Sequence, residues 1–290
     1  MATASGSTSL DTIVQLSGAS LASLQLRDTE GLRIVGQMMM GLKGKVALIT
    51  GASAGIGEST ALHFASLGCA LSLMARRKAP LDNVAKACCE NGLPNDKVLV
   101  VPGDISVDED AAAVVEKTVR HFGKLDILVN NAALRVEGYT DTATLEQFDR
   151  AWNVNLRGTI INISSAASST VVRYLTPYSV TKAALDHLTR CTAFENAPYG
   201  VRVNAINPGV IKTTFAMRPG DNAQEKMEKL EKMTSSAHAL GRIGTAQEVA
   251  RCIAFLASED ASFVTGITML VDGGLTLLSS LTGANPWHKE

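Results

Sequence analysis

Tyr178 and Lys182 stand four residues apart in a run that continues through Ala183, Ala184 and Leu185, a helix-forming composition. On a helix, side chains at that spacing lie one above the other on one face, so a phenol is held beside an ammonium. A free tyrosine titrates near ~10, and a cation a few ångströms away favours the phenolate and draws that value toward working pH. Tyr178 is therefore a candidate general acid/base. The plain alternative is an ordinary half-exposed helix face. Upstream, Asn162, Ile163 and Ser164 read as the end of a buried strand that closes on Ser165, thirteen residues before Tyr178.

A second chemical signature lies near the start of the apolar part of the chain. Lys45 to Thr50 is a short β-branched run, as expected of a strand covered on both faces. It enters Gly51-Ala52-Ser53-Ala54-Gly55-Ile56-Gly57 and then a helical stretch to Leu67, closed by Gly68. A glycine turn between a strand and a helix N-terminus lets the backbone approach a diphosphate, whose charge the free N–H groups and the helix dipole stabilise. Taken alone the glycines could form any tight turn; between strand and helix they predict a dinucleotide site made by Gly51, Ser53, Gly55, Ile56 and Gly57. The next strand, Ala70–Ala75, ends where NAD-binding enzymes usually carry an acid for the adenosine ribose. Here Ala75 is followed by Arg76 and Arg77. A guanidinium binds a 2′-phosphate through paired hydrogen bonds, whereas an acid repels it. NADP(H) is the expected cofactor and NAD(H) the alternative, with two solvated surface arginines as the competing reading.

The serine, its spacing, the Tyr-x-x-x-Lys pair and the G-x-x-x-G-x-G turn together resemble the short-chain dehydrogenase/reductase family, of the 3-oxoacyl reductase-like Ser-Tyr-Lys type, from about Gly44 to Gly274. The resemblance implies reversible reduction of a carbonyl to a secondary alcohol on a small, apolar substrate, with a nicotinamide cofactor. It implies that Tyr178 transfers the proton, Ser165 bonds the substrate oxygen, and Lys182 lowers the tyrosine pKa and binds the nicotinamide ribose. Asn155 would complete a tetrad by holding a water against the lysine, unless it is a structural helical asparagine. Asp104, after the strand Lys97–Val101, would lie beside the adenine, or else cap a helix. Asn131 and Ala132, in a block whose fourth residue is Ala133 where the family has glycine, would back the cofactor. Pro208, Gly209, Ile211 and Thr213 would form the loop over the nicotinamide. The run Asn222–Ala237 suits a mobile lid.

Those elements predict an α/β fold, one doubly wound Rossmann-type parallel sheet with helices on both faces. The expected organisation is a disordered extension over 1–40, a catalytic domain over 41–274 and a tail over 275–290. Apolar residues make up 46% of the 290 and charged residues 19%, which describes a globular chain; a net charge of −1 gives no electrostatic reason to expect nucleic acid or an acidic membrane. No apolar run approaches the ~18 residues of a membrane span. Five scattered cysteines without a CxxC pair read as reduced thiols, and five scattered histidines predict no metal site. With no basic, apolar leader at the start, the expected compartment is the cytoplasm, the mitochondrion being the minor alternative.

One spacing departs from the family. Only nine residues separate Asn155 from Ser165. A strand Ile160–Ser165 rises ~20 Å, and a helix descending as far after Asn155 needs about 13 residues at ~1.5 Å each. Only Leu156 to Thr159 are available. The chain thus reads as a member with one crossover helix shortened after Asn155. In the family that helix and the Tyr178 helix form the main subunit interface, so a homo-oligomer is allowed but its interface helix is reduced. An alternative function follows: a shortened member that binds cofactor weakly or not at all and lacks turnover.

Overall fold

Alternation along the first strand decides how the sheet is covered. In β1 (Val46–Thr50), Ala47 and Ile49 face one apolar cluster while Leu48 faces another, as the two-residue period of a strand requires. Every residue of this strand is buried, so helices must cover both faces. A computed structural model describes residues 41–133, 161–172, 175–216 and 222–277. Its sheet is entirely parallel and has seven strands in the order β3-β2-β1-β4-β5-β6-β9. The other strands are β2 (Ala70–Ala75), β3 (Val98–Pro102), β4 (Ile127–Asn130), β5 (Ile161–Ile163), β6 (Asn204–Pro208) and β9 (Thr268–Val271). A two-residue ladder joins β7 (Ile211–Lys212) to β8 (Gly244–Thr245). The strand order reverses between β1 and β4, the switch point beyond which such sheets open a ligand crevice.

Six helices are described: α1 (Gly55–Ser66), α2 (Lys78–Glu90), α3 (Asp108–Phe122), α4 (Thr176–Asn196), α5 (Ala223–Thr234) and α6 (Ala246–Ala257). Phe64 of α1 and Val249, Ile253 and Leu256 of α6 pack with Ile49, Val129, Ile161, Ile163 and Ile206 on one face of the sheet. Burying a side chain such as Phe64 completely contributes ~1.5–3 kcal/mol. On the other face, Val114 of α3 packs with Leu48, Met74 and Val101. Asn162 of β5 also points that way, accepting from Asn130 Nδ2 (3.1 Å) and donating to Thr189 Oγ1 of α4 (2.9 Å). This buried chain of amides ties two strands to the helix that carries Tyr178 and Lys182.

Boundaries differ from the sequence expectation by one to three residues. The run Val201–Ile206 reads as a strand from sequence, but β6 starts at Asn204: Val201 to Val203 run into the strand as coil, and Val203 N–H bonds the Thr265 hydroxyl. The ladder of β5 spans Ile161–Ile163 where the sequence suggests a strand to Ser165, because Ser165 turns out of the sheet to cap a 3-10 turn, Ala166–Ser168. Thr245-Ala246-Gln247-Glu248 has the spacing of a capping box, and Thr245 and Glu248 make one reciprocally on α6. The helix that the capping-box spacing of Thr144-Leu145-Glu146-Gln147 predicts, Asn155 itself and the crossover from Leu156 lie outside the described residues. The same holds for the extension over 1–40. Among the described residues no helix is long and apolar enough to cross a membrane.

Candidate active site

Buried positions on α4 recur at Tyr178, Thr181, Lys182, Leu185, Asp186, Thr189 and Ala193, an i, i+3, i+4 stripe laid on the sheet, and Pro177 sits in the first turn where its missing N–H costs nothing. Tyr178 and Lys182 share this stripe, so burial of the apolar face brings both to the strand ends. Tyr178 is 7% exposed and Lys182 only 1%. The Lys182 Nζ lies 5.7 Å from the Tyr178 ring centroid and donates to the Ile163 carbonyl oxygen at 2.7 Å. In return Ser164 Oγ donates to the Lys182 carbonyl oxygen (3.2 Å). Burial lowers the Lys182 ammonium more than the Asp186 charge one turn on raises it, which leaves it at about 8.

Ser165 accepts the Ala167 N–H on its Oγ at 3.1 Å, which fixes the hydroxyl and leaves its own O–H free to donate. Ser165, Tyr178 and Lys182 line a single cleft of about 960 Å³. The remainder of its wall contains Ser53, Gly55 and Ile56 at the glycine turn, Arg76 and Arg77 beyond β2, Asp104, Asn131 and Ala132, and Pro208, Gly209, Ile211 and Thr213. Of the cofactor residues expected from sequence, Gly57 alone is absent from this wall. Its part is packing: a Cβ there would fall 2.5 Å from Asn131 Nδ2 and against the Gly51 carbonyl oxygen. Gly51 adopts φ +63° with Ala132 so near that a Cβ would sit 2.8 Å from its Cα. The turn is therefore a bare-backbone cradle at the N-terminus of α1, the geometry that suits a diphosphate.

Asn131 secures this cradle. Its Nδ2 donates to the carbonyls of Thr50 (3.0 Å) and Gly51 (3.1 Å), and the Thr50 hydroxyl accepts from the N–H groups of Asn131 and Ala132 (both 3.1 Å). Asp104 is not the cap of α3, whose N-cap is Val107. It accepts the Ser106 N–H (3.0 Å) and hydroxyl (2.8 Å) on one oxygen, and these bonds, with Arg76 close by, outweigh desolvation and hold its carboxyl below the usual range. Cationic Arg76 and Arg77 and this acid thus share the end of the cleft away from Tyr178.

The opposite end is apolar. Val172, Leu175, Phe215 and Leu230 line it, and the Phe215 ring lies 6.0 Å from that of Tyr178. Leu230 and Thr234 come from α5, so the expected lid segment does border the cleft. Three residues that the sequence reading passed over support the site. His238 is buried between α5 and the loop after β6, with Nδ1 on the Thr234 carbonyl (2.8 Å) and Nε2 accepting the Val210 N–H (3.3 Å). Asn207 and Asp186 pair behind Ser165 through Asn207 Nδ2 and Asp186 Oδ2 (2.8 Å). No short motif joins residues so far apart in sequence; the only signal was a polar residue inside an otherwise apolar strand or helix face.

Known proteins share this architecture. Residues 51–276 match the family described as enoyl-(acyl carrier protein) reductase. Glucose 1-dehydrogenase of Gluconobacter oxydans is 34% identical over 81% of this chain and 92% of its own. The 3-oxoacyl-(acyl-carrier-protein) reductase of Thermotoga maritima is 35% identical over 82% and 100%, and the L-xylulose reductase of Mesocricetus auratus 33% identical over 82% and 98%. Among solved structures, a short-chain dehydrogenase/reductase of unknown function from Caenorhabditis elegans, determined with cofactor, superposes with a TM-score of 0.78 at 28% identity, over 83% of this chain and 98% of that one.

Proposed function

The chain belongs to the short-chain dehydrogenase/reductase family, and from that premise we propose that it interconverts a carbonyl and a secondary alcohol on a small apolar substrate, with NADP(H) preferred over NAD(H). The observation that carries this reading is the meeting, in one cleft, of Ser165, Tyr178 and Lys182 with the glycine cradle and the Pro208–Thr213 loop. When bound, the nicotinamide supplies or accepts the hydride. Gly51, Ser53, Gly55 and Ile56 hold its diphosphate, Asp104 faces the adenine, and Arg76 and Arg77 take the 2′-phosphate. Asn131 and Ala132 back the cofactor, while Pro208, Gly209, Ile211 and Thr213 seat the carboxamide end.

Tyr178 Oη gives its proton to the substrate oxygen in reduction and takes it back in oxidation. The Ser165 hydroxyl donates to the same oxygen and fixes it within reach. Lys182, held at its carbonyl anchor on Ile163, places a positive charge beside the phenol, which favours the phenolate, and it also meets the ribose. Asn155, as the fourth member, would hold a water against Lys182. Val172, Leu175, Phe215 and Leu230 favour an apolar group on the carbonyl carbon, by excluding water from that end of the cleft. The alternative of a shortened chain without turnover is not favoured, since the relatives it matches carry enzymatic names.

The test is NADPH-driven reduction of a panel of apolar ketones, followed by loss of reduced-nicotinamide absorbance, alongside calorimetry with NADPH and NADH. Binding of NADPH with turnover of at least one ketone is expected. A purified, folded chain that binds neither nucleotide would sink the proposal.

A further inference from the structure

Asp186 is a carboxylate on the sheet-facing stripe of α4, 9% exposed, one turn beyond Lys182 and two beyond Tyr178. Its Oδ2 accepts from Asn207 Nδ2 at 2.8 Å, and its Oδ1 is buried with no hydrogen-bond partner among the described residues. Asn207 Nδ2 also reaches Ser168 Oγ (3.0 Å) and the Ser165 carbonyl oxygen (3.2 Å). The carboxylate is thereby pinned to the turn that carries the Ser165 hydroxyl. Burying an ionised carboxylate against a single amide is costly, and a neutral acceptor would satisfy Asn207 equally well. What a neutral residue would not supply is negative charge. The charge that can use it is the Lys182 ammonium on the same stripe, whose hydrogen-bond partner among the described residues is a neutral carbonyl, Ile163.

Resting on the reading of the site as a carbonyl–alcohol centre, we propose that Asp186, anchored by Asn207, is a positioning residue that keeps Lys182 charged inside the fold. The groups around Lys182 agree with this among the described residues. From its own helix come Asp186 and the Tyr178 phenol; from β5 and the residue that follows it come Ile163 and Ser164, both neutral. Among the described residues Asp186 is the one anion whose charge acts on the ammonium. It offsets part of the burial that would otherwise neutralise Lys182 near working pH, and Tyr178 keeps its cationic neighbour.

The experiment reads Lys182 itself. In protein labelled with 13Cε-lysine, the Lys182 resonance is the one lost in Lys182→Met, and its pH midpoint is followed in the wild type, Asp186→Asn and Asp186→Glu. Asp186→Asn is expected to lower the midpoint by about one unit or more, and Asp186→Glu to restore most of it. An unchanged midpoint in folded Asp186→Asn overturns the proposal. Should Asp186→Asn not fold, the wild type decides: with 13Cγ-aspartate, the Asp186 resonance must step at the Lys182 midpoint, and the step must vanish in Lys182→Met. The absence of that step overturns the proposal as well. Failure of the underlying functional reading looks different: Lys182→Met retaining NADPH-driven ketone reduction would remove the lysine from catalysis, whatever its midpoint does.

Discussion

Two side chains at opposite ends of the cleft make separable demands. Tyr178 is packed against Phe215 and almost fully buried, so Tyr178→Phe keeps the ring and deletes only the proton. NADPH affinity should stay within about twofold while kcat falls by ~10²-fold or more, the scale of general acid catalysis. Retention of more than a tenth of wild-type kcat on a ketone that is turned over would show that the proton comes from elsewhere. Arg76 is exposed on the cleft wall beyond β2, apart from Ser165, Tyr178 and Lys182 in the chain and the sheet. Arg76→Ala should therefore cost NADPH about 1–3 kcal/mol and leave NADH nearly unchanged, the loss of one charge-assisted phosphate contact. Equal dissociation constants for the two cofactors in the wild type would remove the assignment. Ser165, Tyr178 and Lys182 were legible because their chemistry sits within one strand-turn-helix unit, where spacing translates directly into geometry. Asp186 and Asn207 were not, since their meaning arises only when β6 is laid against α4.

The elements were legible where burial on both faces forces continuous apolar runs, as in β1 and β2, and less so where a polar residue ends a strand. Asn162 illustrates the difficulty: the sequence places it in a strand, but why an asparagine stands there is plain only when its Oδ1 is seen to accept from Asn130 Nδ2 and its Nδ2 to donate to Thr189 Oγ1. From sequence the glycine turn reads as a diphosphate cradle, whereas Gly57 acts between elements, keeping α1 against the β1 turn and Asn131. Gly57→Ala should consequently cost about 1–3 kcal/mol in overpacking and weaken NADPH at least tenfold, because the whole helix N-terminus must shift. Gly41→Ala is the control, as nothing lies within 4 Å of a Cβ there. Denaturant melts and calorimetry on both variants check this; equal stability and affinity for the two would mean that the turn relaxes freely. A substitution at Gly57 that left NADPH binding intact would also separate helix packing from cofactor seating.

At the scale of the whole molecule, catalysis and stability are set against each other through Lys182. An unfolded lysine titrates near 10.5, whereas burial holds this one at about 8, so at ~1.4 kcal/mol per unit the native state bears a cost of roughly 3 kcal/mol when both forms are protonated. The sign follows from proton counts. Below about pH 8 the native and unfolded states both carry the proton and the full cost is present. Between about 8 and 10.5 the native lysine is already neutral while the unfolded one still binds a proton, so this group makes the protein more stable as pH rises. Above that window the contribution is constant and the cost is gone. Replacing the ammonium by an apolar chain of similar length should hence stabilise the fold while abolishing turnover. Lys182→Met is expected to unfold at higher denaturant concentration than the wild type at pH 7, by a margin on the order of 1–3 kcal/mol after allowing for the lost Ile163 bond. That margin should shrink as pH is raised through the window, because the wild type regains what burial costs it. Urea melts of the two proteins in parallel remove the other alkaline titrations, which they share. If Lys182→Met is less stable at neutral pH, or the difference is the same at every pH, then the ammonium is better compensated in the fold than burial and Asp186 imply.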